Sequence, residues 1–342
     1  MPKVTALVSN AVLLGYDLNQ PSFRHRMGSI VERLEATGWQ VRTERLPSGR
    51  YGLRMWEPRA LFAWADVVVL HQIKLSAMEA RLLSALSRHR VFDLDDAIYV
   101  RKPRRLGEPP HDSRWRRAKF AATCRSVDVV VCGNEVLAGV ARPLSRAVEV
   151  LPTSIDITRY LPSRAAAAES PTIVWIGSPE NLLYLELIRP ALEHLTARYP
   201  DLKVRVICSA FPEWPKINVE RIPWSPQTEA ASLAEAHIGV MPLSDDAWAR
   251  GKCAFKLLQY MAAALPCVAS PVGANTEAVI DGFNGFHATT AEEWERALER
   301  LIESAALRAQ QGANGHAHAA EHYAMHAYRA RYVALLGRLA GA

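Results

Sequence analysis

The sequence has no run of about 18 or more apolar residues, so nothing in it reads as a membrane span. Its start, MPKVTALVSN, holds one basic residue and a short apolar run without the three-part pattern of a signal peptide. Cysteine is scarce: Cys124, Cys132, Cys208, Cys253 and Cys267 make five in 342 residues, an odd number with no pair at metal or redox spacing. That excludes a disulfide framework and points to a reducing compartment. The expected location is the cytoplasm, with peripheral contact at the inner membrane face left open. Neither sign of charge dominates, since 41 Lys and Arg face 35 Asp and Glu, for a formal net charge of +6. Such a surface favours anionic ligands. With no DNA- or RNA-binding motif present, no nucleic-acid partner is expected. Nor does G-x-G-x-x-G follow the first apolar run, which weighs against a dinucleotide-dependent oxidoreductase.

What is present is a repeating alternation. Val4–Ser9 reads as a buried strand, Phe23–Thr37 as a helix closed by Gly38, and Gln40–Arg45 as a second strand. Asp66–Leu70, Arg90–Leu94 and Asp128–Val131 are further β-branched runs with helical segments between them. Unbroken apolar runs of this kind suit parallel strands covered on both faces. The pattern restarts at Thr172–Ile176, followed by Gly177, a helix from about Leu182 to Tyr199, and strands at Val204–Ile207, Ile238–Met241 and Cys267–Ala269. A Pro-, Ser- and Ala-rich linker is expected within Pro162–Pro171. The reading is an α/β chain of two Rossmann-like, doubly wound domains facing each other across a cleft, over residues 1–162 and 170–320. Residues 321–342 form a closing helix with Tyr328, Tyr332, Leu335, Leu336 and Leu339 on one apolar face, able to pack back on the first domain.

The stretch WARGKCAFKLLQYMAAALPCVASPVGANTEAVID, Trp248–Asp281, carries the most chemistry. A helix is expected from about Cys253 to Ala264. Its first N–H groups have no intrahelical partners and its dipole is positive there, which makes an anion site. Arg250 and Lys252 precede it, and Lys256 and Gln259 share one face. A solvated basic helix end accounts for the spacing equally well.

With its continuation through Asn284-Gly285-Phe286, this segment resembles the donor-binding segment of retaining family 4 glycosyltransferases, the glycosyl transferases group 1. Gln259-Tyr260-Met261-Ala262 fills the helix motif, Ala264-Leu265-Pro266-Cys267-Val268-Ala269-Ser270 the next, and Gly273 and Glu277 the turn. Val150-Leu151-Pro152 through Ile155-Asp156 to Tyr160 is similar to the family's domain-joining segment. The resemblance implies the GT-B fold and transfer of a sugar, with retention, from a nucleotide-sugar held by the C-terminal half. The donor is a co-substrate; no cofactor and no metal are implied. The N-terminal half would bind the acceptor, whether a glycan, a lipid-linked molecule or a small molecule. Two departures stand out. The family pairs two glutamates eight positions apart, and here Gly251 and Gln259 occupy those places. An amide oxygen at Gln259 can still accept ribose hydroxyls, so a carboxylate there should be tolerated. The loop after the first strand of the C-terminal half, Gly177–Asn181, lacks the usual Arg and Lys, which leaves Lys256, Lys252 and Arg250 to neutralise the diphosphate. Gly177 permits close backbone approach. These departures also motivate a rival: a catalytically silent GT-B protein that acts as a binding or scaffold partner.

Other candidates lie in the first half and around the cleft. Asp95 and Asp96 end a strand and would orient the acceptor hydroxyl, whereas a metal role for Asp93-Leu94-Asp95 is disfavoured. Arg24 or Arg26 would reach the donor phosphates, or form a surface basic helix start. His71 ends a strand and reads as structural. Trp224 would stack on the nucleotide base or pack in the core. Arg101–Arg117 with Trp115 reads first as a solvated basic loop, with an anionic acceptor or lipid headgroups as the alternative. His318, His322 and His326 have zinc spacing but no completing ligands.

Overall fold

The computed structural model describes residues 9–46, 53–108, 113–162 and 171–341. Two parallel six-stranded sheets organise it. The first contains β1 (Asn10–Gly15), β2 (Gln40–Arg45), β3 (Val67–His71), β4 (His89–Leu94), β5 (Val129–Cys132) and β6 (Val148–Val150), in the order β2-β1-β3-β4-β5-β6. The second contains β7 (Thr172–Ile176), β8 (Lys203–Cys208), β9 (Val219–Pro223), β10 (Ile238–Met241), β11 (Cys267–Ala269) and β12 (Gly285–His287), in the order β12-β11-β10-β7-β8-β9. This second order is that of a doubly wound dinucleotide-type sheet, with its switch point between β7 and β10. Strands β3, β5 and β7 are buried at every residue, which explains their unbroken β-branched runs. Edge strand β2, QVRTER, is mostly exposed and charged, which blunts the sheet edge.

Several elements differ from expectation. The first described strand is Asn10–Gly15, and the expected strand Val4–Ser9 lies, apart from Ser9, outside the described residues. Asn10–Gly15 has parallel partners on each side, β2 and β3. The helix expected over Phe23–Thr37 comes in three pieces: Pro21–Phe23, a wider π-turn at Arg24–Gly28, and Ser29–Ala36. The helix expected from about Leu182 to Tyr199 is a 3₁₀ stretch, Pro179–Leu187, and then an α-helix, Arg189–Arg198, with Pro190 in its first turn. Most of the linker expected within Pro162–Pro171 lies outside the described residues.

The last helix, Met325–Ala340, returns to the first sheet. Tyr328, Tyr332, Leu335 and Leu336 pack with Leu13, Val67, Val69 and Val131 in one core cluster. Each fully buried large apolar side chain there contributes roughly 1.5–3 kcal/mol. The alternate strand residues, such as Val12, Val68, Leu70 and Phe92, face a separate core on the other side of the sheet. Among the described residues no helix is long and apolar enough to cross a membrane.

Candidate functional site

The carboxyl ends of both sheets face one cleft of about 630 Å³. At the switch point of the second sheet, Ile176 and Gly177 leave β7 and Met241 ends β10, and all three line it. The helix Phe255–Ala262 is fixed against these ends by Tyr260. Its ring fills the space where a Cβ on Gly239 would come within 2.4 Å. Its hydroxyl accepts from the Ile176 N–H at 3.1 Å and donates to the Val240 carbonyl at 3.2 Å. The helix is shorter than the expected Cys253–Ala264 because Ala254 and Ala264, one just before it and one just after, both adopt left-handed φ of 54°. Ala254, at the N-cap, supplies no side-chain cap, so the helix presents bare N–H groups to the cleft.

Lys256 follows directly. A Cβ on Gly177 would meet its Cε at 2.8 Å, so glycine at 177 is what lets the lysine lie across the strand end. Its Nζ sits 5.6 Å from the centre of the Trp175 ring. Burial, then the Lys252 and Lys102 ammonium groups, push Lys256 down to about 7. Lys102 falls to about 8 through burial and Lys252. Opposite them, Asp96 is pushed up by burial and by the neighbouring Asp95 carboxylate, against the pull of Lys252. Lys102, Lys252 and Lys256 thus crowd one end of the cleft, with Asp96 and Glu180 beside them.

The first sheet supplies a chain of hydrogen bonds. Buried Asp93 receives Arg26 bidentately, Nε to Oδ1 and Nη2 to Oδ2, each at 2.8 Å. Asp93 Oδ1 lies 2.8 Å from His71 Nδ1, and His71 Nε2 lies 2.7 Å from Ser22 Oγ. Ser22 Oγ in turn donates to Asp95 at 2.6 Å, and Gln72, held at a left-handed φ of 54°, also donates to Asp95. Burial pushes Asp93 up, but Arg26 and His71 overcome it and hold the carboxyl at about 2. Asp95 is therefore positioned at the cleft by a relay that ends in a buried ion pair. Within the π-turn Arg24 and His25 line the cleft while Arg26 is buried, and Ser22 lines the cleft from the helix just before it. Arg26 thus does not reach donor phosphates: it is fully buried, and its Nη1 donates to the Leu151 carbonyl. His71 is the structural link expected, with a cleft residue at its far end.

A carboxylate that the sequence reading missed sits at the other end. Glu229 opens the helix Glu229–Ala234 and lines the cleft. It accepts from Tyr160 Oη, Trp224 Nε1 and Gln259 Nε2, each at 2.7 Å. Gln259 is 4% exposed and its amide N–H is committed to Glu229. A carboxylate at 259 would face that of Glu229, so the expected tolerance of Gln259→Glu does not hold. Nothing local marks Glu229 as functional; its only sequence signal is an acid five residues after Trp224. Gly251, in the other glutamate place, has no room for a side chain, since a Cβ would lie 2.6 Å from that of Ala97.

The two halves also touch directly. Asn134 Nδ2, after β5, donates to the carbonyls of Gly251 and Lys252 at 3.1 and 3.0 Å. The Cys253 thiol meets the Asp95 carbonyl at 3.1 Å. Of the anticipated residues, Asp95, Asp96, Gly177, Lys252, Lys256, Gln259, Arg24 and Trp224 converge on the cleft. The Arg24 guanidinium lies 5.5 Å from the centre of the Trp224 ring, so that ring is partly engaged. Arg250, Gly273 and Glu277 do not line the cleft. Arg250 is tied to Asp245 at the surface, Gly273 packs at a φ of +55° against the Arg250 backbone, and Glu277 is exposed. Among the described residues no group of three or more His, Cys, Asp or Glu side chains is placed to hold a metal ion.

Residues 170–304 match the family model of the glycosyl transferases group 1. The match lies wholly within the C-terminal half. No curated protein sequence matches the chain. Among solved structures, it is similar to sucrose-phosphate synthase from Thermosynechococcus elongatus at a TM-score of 0.70 and 14% identity, covering 97% of this chain and 99% of that one. It is similar to Anabaena HepE in complex with UDP-glucose at a TM-score of 0.71 and 14% identity, covering 96% and 99%. A glycosyltransferase from Rickettsia africae matches at a TM-score of 0.72 and 10% identity, covering 97% and 99%. The fold is GT-B: two Rossmann-like domains across a cleft.

Proposed function

We propose that the protein is a glycosyltransferase that moves a sugar from a nucleotide-sugar to an acceptor hydroxyl, with retention of configuration. The observation that carries this reading is the convergence of Lys252, Lys256 and the uncapped start of helix Phe255–Ala262 on the switch point of the second sheet. When the bond from the sugar's anomeric carbon to the diphosphate breaks, the electron pair leaves with the phosphate oxygen. Fixed positive charge at that place stabilises the transition state more than the ground state. Glu229, held by donors on three sides, offers its remaining acceptor capacity to ribose hydroxyls and so takes over the task expected of position 259. Trp224 and Arg24 border the space for the base. The complex of Anabaena HepE with UDP-glucose favours a uridine donor. Retention rests on the family resemblance.

On the facing half, Asp95 and Asp96 border the cleft where an acceptor hydroxyl would attack and lose its proton. A metal-independent reaction is favoured by the state of the Asp-x-Asp oxygens, which are already taken by Arg26, His71, Ser22 and Gln72. The test is slow hydrolysis of UDP-sugars without acceptor, with and without EDTA. Nucleotide release in both conditions supports the reading. Tight UDP binding with no turnover of any nucleotide-sugar supports instead the silent scaffold, which the blocked Gly251 position favours.

A further inference from the structure

A second volume of about 540 Å³ opens beside the cleft, and Lys102, Pro179, Glu180 and Trp248 line both. Its remaining wall comes from the segment after β4 and from the helix Arg114–Ser126, with Arg101, Arg104 and Arg116 among its residues. Among the described residues that line it, Glu180 is the one carboxylate. Among the described residues the guanidinium groups of Arg101, Arg104 and Arg116 make no ion pair. We propose that this volume seats a phosphate group carried by the acceptor, whose hydroxyl then reaches into the cleft beside Asp95. The inference rests on the donor reading of the neighbouring cleft.

Three observations separate this pocket from an ordinary solvated loop. It is concave and continuous with the proposed reaction site, so one molecule can occupy both. Its lining sets four cations, Arg101, Lys102, Arg104 and Arg116, against one carboxylate, Glu180. An anion entering there would relieve the repulsion among these cations and gain charge-assisted hydrogen bonds from several guanidinium groups. Finally, Trp248, on the shared wall, carries a buried indole N–H without a partner among the described residues. An unmet donor of that kind is costly unless a ligand oxygen or a water meets it.

The phosphate could belong to a soluble acceptor or to a lipid headgroup. Trp115, in the first turn of the same basic helix and 68% exposed, makes the lipid source worth a separate arm. The protein is first saturated with UDP, then titrated with inorganic pyrophosphate by calorimetry. In parallel it is sedimented with vesicles of phosphatidylglycerol and phosphatidylcholine, or of phosphatidylcholine alone. The expected result is an anion-binding event in the UDP-loaded protein that weakens at least tenfold in the Arg104→Ala/Arg116→Ala double variant, while UDP affinity stays within about twofold. Variant-sensitive binding to anionic vesicles assigns the phosphate to a lipid headgroup; variant-sensitive pyrophosphate binding without vesicle binding assigns it to a soluble acceptor. No binding in either arm, or binding equal in parent and variant, overturns the proposal. Failure of UDP to bind the parent counts against the donor reading alone, because the two arginines are read by the difference between parent and variant.

Discussion

At position 259 the residue type was readable from the sequence but its partner was not. Gln259 meets Glu229, thirty residues earlier, and no spacing rule links the two. Arg26 is the same case: the family resemblance offered Arg24 or Arg26 as a phosphate ligand, and a bidentate contact with Asp93, sixty-seven residues away, makes Arg26 a core residue. Gln259→Glu should destabilise the protein by about 1–3 kcal/mol, because it replaces a donor with a second buried carboxylate. The exchange Glu229→Gln/Gln259→Glu should restore most of that loss, since one carboxylate and one amide again face each other. Urea unfolding of the three variants checks this, and a Gln259→Glu protein as stable as the parent would remove the contact from the account. Lys256 makes a second prediction. Its ammonium is lowered from 10.5 to about 7, so near pH 8 the free protein holds it mostly neutral. A bound diphosphate favours the charged form, and binding should therefore take up protons at pH 8. In the absence of ligand the sign is the reverse of a stabilising contact: the unfolded chain binds the extra proton, so this group's contribution to stability rises from pH 7 toward 10.5. Calorimetry of UDP binding in HEPES and in Tris measures the uptake. Equal enthalpies in the two buffers, or uptake unchanged in Lys256→Met, would exclude Lys256.

At the scale of elements, most strands could be read because they are continuous β-branched runs, as at Thr172–Ile176 and Ile238–Met241. The three-residue strands Val148–Val150 and Gly285–His287 are too short to carry a period, and only their sheet neighbours define them. Helix ends were harder. Helix Phe255–Ala262 stops before Ala264 because that residue turns left-handed. The Leu265 N–H then reaches back to the Tyr260 carbonyl at 2.9 Å, and the Ala264 N–H to that of Met261 at 2.9 Å. An L-residue pays roughly 1–2 kcal/mol in that conformation and glycine does not. Ala264→Gly should raise stability by about 0.5–1 kcal/mol once the extra freedom of glycine in the unfolded chain is deducted. A thermal melt with a lower midpoint than the parent would show that the methyl group of Ala264 contributes more through packing than its backbone costs.

For the whole molecule, the two-sheet plan was visible in the sequence because the strand–helix alternation stops and restarts. That the two halves face each other across a cleft was expected from two similar α/β halves joined by a short linker, and the resemblance added the GT-B plan. What the plan produces is a cleft that both halves line with charged groups. Carboxylates of Asp95 and Asp96 stand on one side, and Lys252, Lys256 and a helix start stand on the other. Asn134 and the Cys253 thiol tie those walls together across the cleft. The central claim is that the lysine wall holds a nucleoside diphosphate. Calorimetric titration of UDP into the parent and into Lys256→Met, which keeps the chain length and removes the charge, measures it most directly. The account predicts saturable binding by the parent, weakened by about 10- to 150-fold in the variant, the equivalent of about 1.5–3 kcal/mol for a charge-assisted contact. No binding by the parent, or the same affinity in both proteins, would contradict it.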